Sequence, residues 1–110
     1  MNNKAKGWMF LVGAIAAEVT GSLSLKGALD APALYALVAA GYIGAFVFLS
    51  LVLRTGMALG VAYGIWAASG VALTAILSKF LFKEPFTWLM GLGIVLIVGG
   101  VLCIELGAVH

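Results

Sequence analysis

The chain has 110 residues, of which 65% are hydrophobic and only 9% are charged, and its formal net charge is +2. A soluble domain is about 25% charged, so this composition excludes an ordinary soluble fold and indicates that lipid is the solvent. The basic residues form no cluster, which argues against nucleic-acid binding. Cys103 is the only cysteine and His110 the only histidine, so neither an intrachain disulfide nor a metal site is expected.

Hydropathy divides the chain into spans of about 20 apolar residues, the length that an α-helix needs to cross the hydrocarbon core of a bilayer. Backbone polar groups in lipid must be satisfied within the segment, so each span is predicted to be a helix. The four predicted spans are residues 7–25, 33–53, 57–82 and 87–108. The short breaks between them make neighbouring helices antiparallel. We therefore predict an all-α integral membrane protein with a single four-helix transmembrane domain and no soluble domain.

Glu18 is the most informative residue of the first span, because no other charge lies between Lys6 and Lys26. A carboxylate near the middle of a span costs about 3 kcal/mol, and carboxylates placed there usually bind a proton, a cation or both. Lys26 follows Glu18 by two helical turns, roughly 12 Å along the axis, so it is expected at the membrane interface. Without a buried basic partner, Glu18 is predicted to be functional.

The surroundings of Glu18 suit an organic cation. The residues one turn away on its helix face are small and leave volume beside the carboxylate: Ala14, Gly21 and Ser22. In the third span, Tyr63 and Trp66 share a helix face because they are three residues apart. An anion combined with aromatic faces binds a cation with apolar flanks through charge pairing and cation–π contact.

Glycines of the third and fourth spans are predicted to serve motion and packing. Gly70 follows Trp66 by one turn, where it permits flexing or close packing, and we predict a conformational hinge there. Gly93 and Gly100 are one heptad apart and fall on one face of the fourth span. Small residues let membrane helices approach closely, so this face is predicted to be a dimer interface.

Basic residues are divided equally between the two predicted sides of the membrane. One side holds Lys4, Lys6 and Arg54, and the other holds Lys26, Lys79 and Lys83. Cytoplasmic loops normally carry an excess of Lys and Arg, so a chain without this bias is free to insert both ways round. Four helices also leave little room for a water-filled cavity inside one copy. We therefore predict dual topology and a second copy that completes the cavity.

Residues 14–26 and 60–66 resemble the two signature segments of the small multidrug resistance transporters. The resemblance extends over the whole chain: its length, four spans, a glutamate in the first, Ala-Tyr-x-x-Trp in the third and glycines in the fourth. It implies an antiparallel, dual-topology homodimer of the bacterial cytoplasmic membrane. Such a dimer exchanges protons for lipophilic or quaternary ammonium cations and needs no cofactor. No enzyme is expected, because no nucleophile–base pair, metal-ligand set or phosphate loop is visible.

The resemblance also implies a role for each site residue. Glu18 is similar to the glutamate that binds protons and cationic substrate in turn, with one copy from each subunit facing a shared cavity. The residues that match neighbours lining the pocket are Ala14, Gly21 and Ser22. Those that match the substrate-contacting aromatics are Tyr63 and Trp66, and those that match dimer contacts in the fourth helix are Gly93 and Gly100.

The second span departs from the family pattern. Multidrug members usually place a tyrosine where Ile43 stands and a serine where Phe46 stands. The usual polar contacts of this span are therefore expected to be missing. Tyr42 is adjacent to Ile43 but is expected to point elsewhere on the helix.

Other substrates and assemblies stay open at this point. Guanidinium exporters of the family typically carry tryptophan where this chain has Gly21, and one polyamine-exporting subunit carries an acidic residue where this chain has Ala67. The first departure favours bulkier hydrophobic cations, and the second weakens the polyamine alternative. The chain is alternatively one half of an obligate heterodimer, against which the balanced loop charges argue. The remaining alternative is an accessory membrane subunit that transports nothing.

Overall fold

The computed structural model describes residues 2–108, which form four long α-helices and no strand. Helix α1 is Asn3–Gly27, α2 is Tyr35–Arg54, α3 is Leu59–Leu81 and α4 is Trp88–Ala108, and a 3-10 turn at Pro32–Leu34 leads into α2. All four helices are long and apolar enough to cross a membrane. The predicted all-α membrane fold with four spans is therefore confirmed. His110 lies outside the described residues.

Local chemistry explains where the helices begin. Helix α1 starts at Asn3, earlier than predicted, because the side chain of Asn2 accepts a hydrogen bond from the backbone N–H of Ala5 at 2.8 Å and caps the helix. Gly56 has a φ of +95°, which glycine adopts without strain, and this residue makes the turn before α3. At the start of α4, the hydroxyl of Thr87 accepts a hydrogen bond from the N–H of Met90 at 3.2 Å.

Helices α1, α2 and α3 form the packed part of the chain, in which α1 contacts both of the others. Glycine makes the contact between α1 and α2 very close. A Cβ atom on Gly41 would lie 2.8 Å from the carbonyl oxygen of Ala17 and from backbone atoms of Gly21. Membrane helices pack through such small-residue contacts. The core cluster of buried residues is Leu11, Ala14, Ala45, Leu49, Val52, Ala62 and Trp66.

Helix α4 is different, because within residues 2–108 it packs against α3 alone. None of its membrane-spanning window is buried. The chain as a whole is flat, with principal extents of 46 × 33 × 19 Å. Most of the α4 surface is therefore uncovered by the rest of the chain.

Lys26 connects the end of α1 to the break between α3 and α4. Its Nζ atom lies 3.3 Å from Oε2 of Glu84 and 5.8 Å from the ring centroid of Phe82. Because both charged side chains are well exposed, such an ion pair contributes less than about 1 kcal/mol. The partner of Lys26 is thus Glu84 at the helix ends and not Glu18.

Candidate functional site

Glu18 lies in the middle of α1, and its two carboxyl oxygens have different surroundings. Oε1 accepts a hydrogen bond from the hydroxyl of Ser22, one turn later on the same helix, at 3.1 Å. Oε2 is buried and has no hydrogen-bond partner among residues 2–108. The carboxyl group therefore keeps acceptor capacity that a proton donor or a cation can use.

Tyr42 extends this hydrogen bond from α1 to α2. Its hydroxyl oxygen lies 2.8 Å from Oγ of Ser22, so a chain of two hydrogen bonds joins Tyr42 to Glu18. The expectation that Tyr42 points elsewhere on its helix is therefore wrong, as is the expectation that the second span lacks polar contacts. Ile43, by contrast, is 65% exposed.

The physical reason for the orientation of Tyr42 is the close glycine contact between α1 and α2. Because Gly41 packs directly on the backbone of α1, the next residue along α2 is turned toward Ser22. The ring of Tyr42 lies against Gly21, where an added Cβ atom would be 3.3 Å from Cδ2 of the ring. Gly41, beside Tyr42 in the sequence, is the signal from which this face of α2 could have been found, although no expectation above was drawn from it.

Gly70 on α3 faces the carboxyl group of Glu18. A Cβ atom at Gly70 would overlap Oε2 and would lie 2.7 Å from Cδ of the carboxyl group. Helix α3 continues without interruption through this position. Gly70 therefore makes the space in which the carboxyl group lies, and its role as a hinge stays a prediction.

Trp66 connects α3 to α1 one turn before Glu18. Its indole N–H donates a hydrogen bond to the carbonyl oxygen of Ala14 at 3.2 Å. In an α-helix the same carbonyl accepts the backbone N–H of Glu18, so this contact positions α3 at the level of the carboxylate. Ala14 is fully buried at this contact and Gly21 is buried between α1 and α2, so both face neighbouring helices.

An open aromatic cavity of about 240 Å³ adjoins the carboxyl group. The ring of Trp66 lies 5.3 Å from that of Phe46, edge to face, and 5.7 Å from that of Tyr63, between centroids. Small-molecule sites usually enclose about 300–1,000 Å³, so this cavity is smaller than a typical site. The residues that line the cavity are Glu18, Tyr42, Phe46, Tyr63, Trp66, Ala67 and Val71.

The side chain of Phe46 cannot make a polar contact, but its ring forms part of the cavity wall. The wall thus combines one carboxyl group with four aromatic rings. Within residues 2–108, no group of three or more histidine, cysteine or acidic side chains is placed to hold a metal. Charge pairing with a proton or a cation is the chemistry that this arrangement offers.

Gly93 and Gly100 lie on α4, which contributes no residue to the cavity wall. A Cβ atom at either position would meet nothing within 4 Å in the described part of the chain. The predicted dimer contacts are therefore on an uncovered helix surface, and their role in a dimer stays a prediction.

Comparison with known proteins agrees with the signature segments. The family described as Small Multidrug Resistance protein matches residues 6–97. The multidrug resistance protein EbrB of Bacillus licheniformis is 45% identical over 98 residues, which cover 87% of this chain and 82% of the relative. The multidrug transporter PA4990 of Pseudomonas aeruginosa is 40% identical over 101 residues, which cover 90% and 91%. The chain therefore belongs to the small multidrug resistance family of membrane proteins.

Proposed function

We propose that this protein exports lipophilic or quaternary ammonium cations across the bacterial cytoplasmic membrane in exchange for protons. The names of both relatives describe multidrug resistance or multidrug transport, which supports transport rather than catalysis. Four helices that can cross a bilayer support a multi-pass transporter. Neither the proton nor the class of cation follows from these names, and both rest on the chemistry of the site.

The observation that carries the proposal is the carboxyl group of Glu18 at the wall of an aromatic cavity. One oxygen has a single hydrogen-bond donor and the other has none within residues 2–108. A proton neutralises this group, whereas a cation needs it charged. Binding of one therefore weakens binding of the other, and reciprocal coupling of this kind links the movements of two ligands.

The aromatic rings favour a cation with apolar flanks. A cation over the face of such a ring gains about 0.5–1 kcal/mol at an exposed site, and about 2 kcal/mol or more where water is excluded. Ala67 lines the same cavity without adding a second negative charge. Glu18 is the one acidic residue that lines the cavity, so a site shared by two copies has two carboxylates, too few for a polyamine with three or more positive charges.

The functional unit in this proposal is an antiparallel homodimer with dual topology. The cavity of one copy is small and open, and α4 is largely uncovered. The balanced loop charges permit insertion both ways round. The second copy adds its own Glu18 and aromatic rings, so the complete site has two carboxyl groups and encloses a larger volume.

Transport then requires the cavity to open first to one side of the membrane and then to the other. Two copies of one sequence in opposite orientations adopt two different shapes and exchange them, and the two states are equal in energy before ligand binds. Gly70 is the proposed hinge, because it lies in α3 directly against the carboxyl group.

Glu18→Gln tests the proposal, because glutamine has nearly the same size but cannot carry a charge or release a proton. We expect this variant to insert normally and to lose proton-coupled export of an ethidium-like dye from membrane vesicles. Glu84→Gln is the matched control, since it makes the same change at an exposed carboxylate that pairs with Lys26. Normal dye export by the Glu18→Gln variant would refute the proposal.

Transport by the purified chain alone, reconstituted in vesicles, distinguishes the homodimer from an obligate heterodimer. Export without any second protein is expected. Export only after addition of a paralogous subunit would contradict the homodimer.

A further inference from the structure

Two buried side-chain oxygens lack a hydrogen-bond partner within residues 2–108, namely Oε2 of Glu18 and Oγ1 of Thr74. Buried polar atoms are nearly always paired, because a group that leaves water without gaining a partner costs free energy. The two oxygens belong to α1 and α3, the helices that meet at the site. One contact between them would satisfy both.

The register of α1 and α3 puts these two residues close in height. Residues that meet across the two helices are separated by 52 positions in the sequence: Ala14 with Trp66, and Glu18 with Gly70. The helices therefore run in the same direction and stay in step over this turn. The next turn places Thr74 at the level of Ser22.

Side-chain direction brings the two oxygens nearer still. Side chains on an α-helix lean toward its N-terminus, so the hydroxyl of Thr74 leans toward the level of Gly70. Oε2 of Glu18 lies at the position that a Cβ atom on Gly70 would occupy. Gly70 and Thr74 are one turn apart on the same face of α3, so the hydroxyl of Thr74 leans toward the place that Oε2 occupies.

We propose that Thr74 is a second hydroxyl partner of Glu18, acting on Oε2 as Ser22 acts on Oε1. The contact forms directly, after rotation about the Cα–Cβ bond of Thr74, or through one buried water molecule. A hydroxyl donates to a carboxylate and accepts from a protonated carboxyl group, so Thr74 serves both charge states. The inference rests on the proposed role of Glu18 and makes Thr74 a positioning residue.

The position of this hydroxyl gives it a specific effect. It is buried and does not line the aromatic cavity, whose α3 residues are Tyr63, Trp66, Ala67 and Val71. Thr74 therefore holds the carboxyl group in the space at Gly70 when no cation is bound. A cation in the cavity attracts the carboxylate away from Thr74.

Infrared difference spectroscopy on the full chain in lipid vesicles tests this contact. The carbonyl stretch of a protonated carboxyl group falls in frequency when it gains a hydrogen bond. The Glu18 band is identified at low pH by its absence from the Glu18→Gln variant. We expect Thr74→Val, which keeps the shape but lacks the hydroxyl, to move this band to higher frequency, and Thr74→Ser to leave it at the wild-type frequency.

Ser22→Ala calibrates the shift, because it removes a hydrogen bond that the structure shows. An unshifted band in Thr74→Val beside a shifted band in Ser22→Ala overturns the proposal. Equal shifts in Thr74→Val and Thr74→Ser also overturn it, since packing and not the hydroxyl would then be the cause. Circular dichroism checks folding, and Thr74→Ala replaces the valine variant if that variant does not fold.

The infrared band tests the Thr74 hydrogen bond, and the export assay tests the proposed transport, so each result can contradict one claim without the other. A Thr74→Val shift without any dye export by the wild-type protein would refute the proposed transport and leave the hydrogen bond standing. Normal export by the wild-type protein together with an unshifted band in Thr74→Val would refute the hydrogen bond and leave the proposed transport standing.

Discussion

The glycines of the packed helices and the glycines of α4 have opposite surroundings. A Cβ atom at Gly70 would overlap the carboxyl group of Glu18, and one at Gly41 would collide with the backbone of α1. A Cβ atom at Gly93, Gly99 or Gly100 would meet nothing within 4 Å in the described residues. Contacts within the chain therefore require glycine in the packed helices, which are the first region, but not in α4, which is the second.

This difference separates two uses of glycine. Glycine in a helix interior costs about 1 kcal/mol relative to alanine, so a packing gain must offset it. Inside the chain the gain is visible as the space for Glu18 and as the close contact between α1 and α2. Lipid is as apolar as leucine, so burying apolar surface of α4 gives no driving force for packing. The gain that offsets the cost of glycine in α4 is then the close approach of another helix. A second copy is the proposed source of that helix.

The first region is tested most strongly by Gly70→Ala, for which we expect the largest effect. The added methyl group displaces the carboxyl group of Glu18. Overpacking of this kind costs about 1–3 kcal/mol, and 1.4 kcal/mol is a factor of ten in affinity. Dye export is therefore expected to fall about tenfold or more.

Gly64→Ala is the matched control on the same helix. There the nearest atom to the new Cβ would be Cδ1 of Ile104 at 3.7 Å, an ordinary contact. We expect this variant to keep wild-type export. Equal export by the two variants would show that the space at Gly70 is not needed by Glu18.

The second region is tested by Gly100→Leu. The fold of the single chain is expected to be unchanged, because the position is open, whereas association of two copies weakens. An overpacked helix contact costs about 1–3 kcal/mol, so the dissociation constant of the dimer rises about tenfold. Energy transfer between labelled copies in vesicles measures this change.

Gly99→Leu is the control for that variant, because Gly99 is equally open but lies off the face shared by Gly93 and Gly100. It is expected to leave the dissociation constant near the wild-type value. If both leucine variants associate as the wild type does, the predicted interface is wrong.

Tyr42→Phe is expected to have the smallest effect, and it sharpens the account of the first region. It removes the hydroxyl that joins α2 to Ser22, and one such hydrogen bond contributes about 1 kcal/mol. The affinity for a cation should therefore change less than tenfold, measured by titration of the purified protein. Tyr35→Phe, at the start of α2, is the control and should bind as the wild type does, so identical affinities in both variants would contradict the role of Tyr42.

Much of the fold was predictable because the decisive properties are local. An apolar run of about 20 residues predicts a membrane helix whatever lies beside it, and the four spans follow from this alone. The cost of a charge in such a run singles out Glu18 in the same way. The pairing of Tyr63 with Trp66 follows from their spacing and is present in the structure.

The details of the site depend on how each helix is rotated, which the sequence does not show directly. Successive residues in an α-helix are turned by about 100°, so an error of one position moves a side chain to another face. This is why Tyr42 is expected from the sequence to point elsewhere on the second span, whereas in the structure it makes that span's polar contact. The space at Gly70 was also missed in its detail, because it depends on the register of α3 against α1.

The most direct test of the central claim is proton release by purified protein in weakly buffered detergent solution when a quaternary ammonium cation is added. The account predicts release by the wild type and by the Glu84→Gln control, and none by the Glu18→Gln variant. Cation binding by the wild type without release of protons would contradict it. So would equal release by the Glu18→Gln variant, because the proton and the cation would then not share Glu18.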